Sequence, residues 1–175
     1  EATEEGDPRA RYLEPIKASC ERVAALVAQA RGEGQIPLVL GGDHSIAIGT
    51  LGGMANAHGP GAALWVDAHG DLNRPQTSPT GNVHGMPLAA AFGAGGDAFA
   101  TDAWPIPSVE RAALIATRSL DPGERELIRS LEVRVFTMSE LDQVGVVNAV
   151  REAIDRIAGD GGIHVSLDMD AVDPL

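Results

Sequence analysis

Asp67, His69 and Asp71 stand two residues apart directly after a short apolar run, and Asp168 and Asp170 repeat this spacing late in the chain. In extended chain, residues two apart project to the same side. Each run would therefore present its polar groups to one cleft. Carboxylates and imidazoles gathered in a cleft are groups that bind metal ions and transfer protons.

His44 follows another apolar run and extends this set to two imidazoles and four carboxylates. Four carboxylates in one cleft would repel one another and could not all stay ionised without a cation. Carboxylates with imidazoles suit harder divalent metals such as Mn²⁺, and the single cysteine of the chain rules out a thiolate cage. A single catalytic ion that keeps one coordination position open needs fewer than six protein ligands. With bridging carboxylates they would fit two ions about 3.5–4 Å apart.

Apolar runs alternate with amphipathic stretches along the chain, which predicts the elements that must position these residues. We predict strands at 36–40, 62–66, 112–117, 133–136 and 163–167, and helices at 12–31, 45–57, 86–92, 122–131 and 139–158. Alternation of this kind is typical of an α/β fold in which helices cover both faces of a parallel sheet.

Polar clusters follow four of the predicted strands. They occupy residues 42–45, 67–71, 118–121 and 168–170. Ligands of open α/β sheets bind beyond the carboxyl ends of the strands. The sequence therefore predicts that all four clusters meet at one edge of the sheet.

Composition excludes several classes of protein. The 175 residues include 13 Lys and Arg against 25 Asp and Glu, and the resulting net charge of −12 argues against nucleic acid as a partner. A hydrophobic fraction of 44% is enough for a core and argues against a disordered acidic tail. The sequence has no run of about 18 apolar residues to cross a membrane and no secretory signal at residues 1–11. We expect a cytoplasmic location.

Some polar residues have simpler structural interpretations. An Asp after a strand is often a helix N-cap or part of an Asx-turn, and this alternative stays open for Asp43, Asp121 and Asp173. His58 and His164 fit none of the clusters, so we interpret them as surface or core histidines.

Three motifs, at 41–45, 67–71 and 166–174, resemble the metal-binding signatures of the ureohydrolase family, in the family's order. The similarity covers most of the chain, from about residue 36 to residue 174. The loop at 73–87 is similar to the arginase branch rather than the agmatinase branch, and the segment 118–124 resembles the bacterial version of that branch.

The resemblance implies two Mn²⁺ ions per chain, for which Co²⁺, Ni²⁺ or Fe²⁺ could substitute. It assigns one ion to His44, Asp67, Asp71 and Asp168, and the other to His69, Asp67, Asp168 and Asp170. Asp67 and Asp168 would bridge the ions. A hydroxide between the ions would attack the guanidinium carbon of the substrate, and Asp71 would orient it.

The resemblance also implies the residues around the substrate. His84 would carry a proton to the leaving amine, a role that suits imidazole near neutral pH. Asn73, Thr80 and Asn82 would bind the α-carboxylate of the substrate, and Asp121 its α-ammonium group. The family often has Ser at the position of Thr80, and the hydroxyl group is retained here.

The implied reaction is hydrolysis of L-arginine to L-ornithine and urea. Hydrolysis of agmatine or another guanidino compound is an alternative. A non-catalytic metal-binding fragment is another, because the family's guanidinium-binding Glu lies further along than Leu175.

The implied fold is a three-layer, arginase/deacetylase-like α/β sandwich with a mostly parallel sheet. We expect residues 1–175 to form a single incomplete ureohydrolase domain whose C-terminal strands are missing. The resemblance also implies a homo-oligomer, a trimer or hexamer, in the full-length protein, with no membrane partner.

Overall fold

The computed structural model describes residues 5–172, so Asp173 and Pro174 of the third motif lie outside the described residues. A four-stranded, fully parallel sheet has the order β3-β2-β1-β4. Its strands are β1 Gly61–Val66, β2 Val109–Thr117, β3 Arg134–Thr137 and β4 Ile163–Leu167. The α-helices of the described part are α1 Leu13–Gly32, α2 Ile46–His58, α3 Pro87–Ala91, α4 Pro122–Ser130, α5 Met138–Val144 and α6 Val146–Ile157.

Helices cover both faces of the sheet, which confirms the expected three-layer α/β architecture. Residues of α2, α3 and α4 pack against one face, around Trp65 and Leu114. Residues of α5 and α6 pack against the other face, around Leu64 and Ile115. Burial on both faces explains why β1 and residues 112–116 of β2 are continuous apolar runs in the sequence.

Helix α1 lies outside α2, and two glycines of α2 allow close contact between them. A Cβ atom at Gly49 would lie 2.5 Å from the carbonyl oxygen of Cys20, and one at Gly53 would lie 2.6 Å from that of Ala24. These glycines lower the intrinsic helix propensity of α2 but permit the backbones to approach.

The strand predicted at 36–40 is wrong. This segment belongs to no sheet, and Ile36, Leu38 and Leu40 are 86–89% exposed. A strand is defined by the hydrogen bonds of a neighbouring strand, and none within residues 5–172 pairs with this segment. The segment nevertheless leads directly into the loop that carries His44.

The helix predicted at 139–158 is two helices. Gly145 separates α5 from α6 with a φ of 81°, in the left-handed region that glycine adopts at little cost. The Thr137 hydroxyl begins α5 by accepting a hydrogen bond from the backbone N–H of Glu140. Periodicity alone did not reveal the break because the apolar spacing continues across it.

No helix in residues 5–172 is both long enough and apolar enough to cross a membrane.

Candidate metal centre

A cavity of about 390 Å³ opens at the carboxyl edge of the sheet. Because the strands are parallel, β1, β2 and β4 all end at this edge, as the sequence predicts. The cavity is lined by every candidate site residue, namely His44, Asp67, His69, Asp71, Asn73, Thr80, Asn82, His84, Asp121, Asp168 and Asp170.

His44, Asp67 and Asp71 form a buried cluster that we call the inner group. Nδ1 of His44 lies 2.8 Å from Oδ2 of Asp67, 3.0 Å from Oδ2 of Asp71 and 3.5 Å from Oδ2 of Asp168. One imidazole nitrogen carries at most one proton, so it cannot satisfy three carboxylates. The contact with Asp71 lacks hydrogen-bond geometry, and Oδ2 of Asp71 is a buried oxygen without a hydrogen-bond partner.

The charges of the inner group favour a cation between these side chains. Burial alone would lower the pKa of His44, but Asp67 and Asp71 outweigh it and raise that pKa to about 9. Burial raises the pKa of Asp71 to about 7, and the negative charge of Asp67 adds to the rise. A divalent cation would relieve both shifts by taking the place of the shared protons. The donor set therefore fits a hard divalent metal ion.

Asp67, His69 and Asp170 form a second, more exposed cluster that we call the outer group. Nδ1 of His69 lies 3.0 Å from Oδ2 of Asp170 and 3.4 Å from Oδ1 of Asp67. Asp67 belongs to both groups, with Oδ2 toward His44 and Oδ1 toward His69. A carboxylate with one oxygen in each group can bridge two cations.

Turns, rather than extended strands, bring these ligands together. Strand β1 ends at Val66, and Oδ1 of Asp67 then accepts a hydrogen bond of 2.8 Å from the backbone N–H of His69. Asp71 has a φ of 52°, in the left-handed region, which Asp tolerates better than most residues. The side chains line one cavity, as expected, but the prediction that their backbone is extended is wrong.

The same turn chemistry occurs at the end of β4. Oδ1 of Asp168 accepts a hydrogen bond of 2.9 Å from the backbone N–H of Asp170. A short 3₁₀ turn, Met169–Ala171, follows. An Asp that accepts a hydrogen bond two residues ahead in this way forms an Asx-turn.

Ser166 contacts the imidazole of His44, and this contact was not predicted from the sequence. Its hydroxyl lies 2.7 Å from Nε2 of His44, on the side of the ring opposite the carboxylates. If Nδ1 is the ligand atom, Nε2 carries the proton and donates a hydrogen bond to the Ser166 hydroxyl, which fixes the tautomer and the ring orientation. No local sequence signal joins these residues, because they are 122 positions apart.

The residues expected to bind the amino-acid end of a substrate form two hydrogen-bonded pairs. Nδ2 of Asn73 donates a hydrogen bond of 2.8 Å to Oδ2 of Asp121. Thr80 accepts a hydrogen bond of 3.2 Å from the backbone N–H of Asn82. His84 lies on the cavity wall in the 3₁₀ turn Val83–Gly85 and is exposed.

Glu124 lines the same cavity and was also missed. Its buried carboxylate accepts hydrogen bonds from the backbone N–H groups of Leu72, at 3.0 Å, and Asp121, at 2.8 Å. It therefore joins the loop after β1 to the start of α4. The spacing of Asp121 and Glu124 is that of a capping box, a sequence signal that could have identified this contact.

The residues with simpler interpretations occupy structural positions. Oδ1 of Asp43 accepts hydrogen bonds from the backbone N–H and the hydroxyl of Ser45, as in an Asx-turn. Nε2 of His164 contacts the Thr50 hydroxyl at 2.9 Å, and His58 contacts Arg31 on the surface. None of these residues belongs to the inner or the outer group.

Comparison with known sequences gives relatives over almost the whole chain. The chain is 45% identical over 174 residues to the arginase of Bacillus caldovelox and 42% identical over 170 residues to that of Bacillus subtilis strain 168. These matches include 98% and 96% of this chain but only 58% and 57% of the relatives. The chain thus spans a little over half the length of the curated relatives that it matches.

Solved structures agree with the sequence relatives. The structure of the Bacillus caldovelox arginase superimposes with a TM-score of 0.92 at 44% identity, and covers 99% of this chain and 59% of its own. The Bacillus cereus arginase gives a TM-score of 0.91 at 42% identity, covering 96% and 59%. The family model described as Arginase family matches residues 2–175. By sequence and by fold, the chain belongs to the arginase family.

Proposed function

We propose that the whole protein hydrolyses L-arginine to L-ornithine and urea, and that this chain supplies the metal centre and the site for the amino-acid end of the substrate. Residues 1–175 would form a single, incomplete ureohydrolase domain. Membership of the arginase family supports it, and so do the Bacillus relatives that bear the name arginase.

The observation that carries the proposal is the position of Asp67 between two groups of ligands. Its two oxygens face His44 and His69, at 2.8 Å and 3.4 Å, at the floor of the cavity. A mononuclear site has no need of a second imidazole on the far side of the same carboxylate. This arrangement supports a dinuclear centre, for which we propose Mn²⁺ as the metal.

In the proposed centre, Asp168 joins Asp67 as a second bridging ligand. One ion would have His44, Asp67, Asp71 and Asp168 as ligands, and the other His69, Asp67, Asp168 and Asp170. Bound there, the two ions would lower the pKa of a water molecule and supply hydroxide near neutral pH. Asp71 would orient that water through Oδ2, which no hydrogen bond of the protein occupies.

The other residues of the cavity would bind the substrate and move its protons. Oxygen from water adds to the guanidinium carbon, and the bond from that carbon to the ornithine nitrogen breaks. The imidazole of His84, exposed on the cavity wall, would deliver the proton that the leaving amine needs. Asn73, Thr80 and Asn82 would bind the α-carboxylate, and Asp121 the α-ammonium group.

The Asn73–Asp121 hydrogen bond favours arginine over agmatine. It places a carboxylate for an ammonium group beside an amide that has a second N–H free for a carboxylate. Agmatine has no α-carboxylate and would leave the amide, and the Thr80 hydroxyl, without a partner. Sites built to bind a polar group discriminate strongly against a substrate that lacks it.

Urea release from L-arginine, agmatine and 4-guanidinobutyrate by the Mn²⁺-loaded whole protein tests the proposal. We expect kcat/KM to be at least about 100-fold higher for arginine, because the site would hold two charged groups of that substrate. Asp121→Asn should remove most of the preference over 4-guanidinobutyrate, which has no ammonium group, while Asp97→Asn, an exposed change outside the cavity, should leave it unchanged. A preference for agmatine, or no urea from any of the three, would refute the proposed function.

Three further features of the whole protein remain predictions: the use of Mn²⁺ rather than Co²⁺, Ni²⁺ or Fe²⁺, assembly into a trimer or hexamer, and a cytoplasmic location. Light scattering after gel filtration measures the assembly, and a lone monomer would contradict that prediction. Metal analysis of protein purified from its own cells measures the native metal.

A further inference from the structure

Arg118 connects two strands that do not pair with each other. It directly follows β2, and its guanidinium reaches the turn after β4, although β1 lies between these strands. Nη2 donates a hydrogen bond of 2.5 Å to the backbone carbonyl of Asp170, and Nη1 donates one of 3.3 Å to that of Ala171. One side chain thus holds two successive carbonyls of the ligand-bearing turn.

The turn that Arg118 holds carries one of the two exposed ligands of the outer group. The side chains of Asp170 and His69 are 44% and 52% exposed, whereas that of Asp67 is 2% exposed. A ligand with an exposed side chain depends on the backbone contacts of its turn to keep its position.

Arg118 is itself fixed to the loop after β1. Its backbone N–H and that of Ser119 both donate to the carbonyl of Ala68, at 2.8 and 2.9 Å. The backbone N–H of Ala68 in turn donates to Oδ1 of Asp170 at 3.2 Å. Arg118, Ala68 and Asp170 therefore form a closed ring of contacts beside His69.

We propose that Arg118 is a positioning residue for the outer group, setting the distance between Asp170 and His69 and hence the affinity for the second cation. This inference rests on the dinuclear centre of the proposed function. The guanidinium donates to carbonyls and not to the carboxylates, so it leaves the carboxylate oxygens available to a metal. A Lys at this position would keep the charge, but it lacks the planar guanidinium that donates hydrogen bonds to two carbonyls at once.

Mn²⁺ titration of the metal-free whole protein, followed by calorimetry and by electron paramagnetic resonance, tests this role. The variants are Arg118→Ala and Arg118→Lys. The matched control is Arg111→Ala at the opposite end of β2, where the guanidinium donates to the carbonyls of Ile157 and Asp160, each at 2.9 Å. Arg111 therefore also donates hydrogen bonds to two backbone carbonyls, but it lies away from the cavity.

Arg118→Ala should bind the first Mn²⁺ with unchanged affinity and the second about 10- to 100-fold more weakly, as for other residues that orient metal ligands. The signal of a coupled Mn²⁺ pair should give way to that of a single ion at limiting metal. Arg118→Lys should fall between wild type and Arg118→Ala, and Arg111→Ala should match wild type at both sites.

Equal affinity for both ions in Arg118→Ala and wild type would overturn the inference, as would equal weakening of both ions or the same loss in Arg111→Ala. Failure of the proposed function would be recognised by a different experimental result. If wild type binds two Mn²⁺ but releases no urea from arginine, the proposed reaction is wrong and the role of Arg118 stands.

Discussion

The indole of Trp65 stacks on the imidazole of His44, with ring centroids 4.1 Å apart and planes inclined by 18°. The indole N–H also donates a hydrogen bond of 3.2 Å to Oδ2 of Asp67. Trp65 is fully buried in β1, within the core on one face of the sheet. A single core residue therefore orients two proposed ligands of the same ion.

Trp65→Phe should weaken binding of the inner Mn²⁺ about 10-fold. An aromatic ring would remain beside His44, but Asp67 would lose a hydrogen-bond donor that orients it, and such losses typically reduce metal affinity 10- to 100-fold. Calorimetric titration with Mn²⁺ measures the change. Trp104→Phe, in a different buried cluster, is the matched control and should leave the affinity unchanged. Equal affinities in wild type and Trp65→Phe would exclude this role for the indole N–H.

Asp168→Ala should abolish urea release by the whole protein, because a ligand shared by both ions cannot be spared. Its Oδ2 lies 3.5 Å from Nδ1 of His44, and its Oδ1 holds the turn of Asp170. Metal analysis should find fewer than two Mn²⁺ per chain. Asp155→Ala removes an exposed carboxylate from α6 and should change neither quantity. Two tightly bound Mn²⁺ ions in Asp168→Ala would contradict the bridging role.

Glu124→Gln should raise KM for arginine about 10-fold and lower the free energy of unfolding by about 1–3 kcal/mol. Burial raises the pKa of Glu124, yet the group accepts two backbone hydrogen bonds that hold Leu72 and Asp121. Gln has one acceptor oxygen, and its NH₂ group would face one of these N–H donors. Glu126→Gln, on the exposed side of the same helix, is the control for steady-state kinetics and urea unfolding. Unchanged KM and stability would show that the two contacts contribute little.

His84→Ala should reduce kcat for urea release by about 10²- to 10⁴-fold and leave KM within about a factor of three, because the proposed role is proton transfer. Added imidazole should restore part of the lost rate. His58→Ala, which removes a surface histidine beside Arg31, should have no effect on either parameter. A large rise in KM with little change in kcat would instead assign His84 to substrate binding.

Because of His164, the free energy of unfolding of the metal-free protein should fall as the pH falls from about 6.5 to about 4. Burial lowers the pKa of His164 to about 4, and its Nδ1 is buried without a hydrogen-bond partner. Between these pH values the unfolded chain takes up a proton that the folded chain does not. The unfolding free energy then falls by up to about 1.4 kcal/mol per pH unit.

Urea unfolding at several pH values should show a shallower decline for His164→Gln than for wild type over this range. Above about pH 6.5 the difference between the two proteins should be constant. Identical slopes in the acid range would mean that His164 is protonated equally easily in the folded chain.

Much of the fold and the site could be predicted from the sequence because the signals are local. Buried parallel strands such as β1 are continuous apolar runs, and the polar residues that follow them must lie at one edge of the sheet. Asp67 and Asp168 were therefore assigned to one cleft from their positions after β1 and β4. The extended geometry assumed for the residue pairs was unnecessary, since Asx-turns bring the side chains together.

The features that the sequence did not predict depend on distant contacts. Residues 36–40 have the composition of a strand, but pairing is a property of neighbours and not of composition. The contacts of Arg118 with Asp170 and of Ser166 with His44 join positions 52 and 122 residues apart. The contact between Glu124 and Asp121 could have been predicted, because the capping-box spacing of these two residues is visible in the sequence.

The number of Mn²⁺ ions bound per chain tests the central claim most directly. The whole protein is saturated with Mn²⁺, passed through a desalting column and analysed for metal by mass spectrometry. The shared position of Asp67 between the inner and outer groups predicts two ions per chain. A value of one or zero would contradict the dinuclear centre and the mechanism built on it.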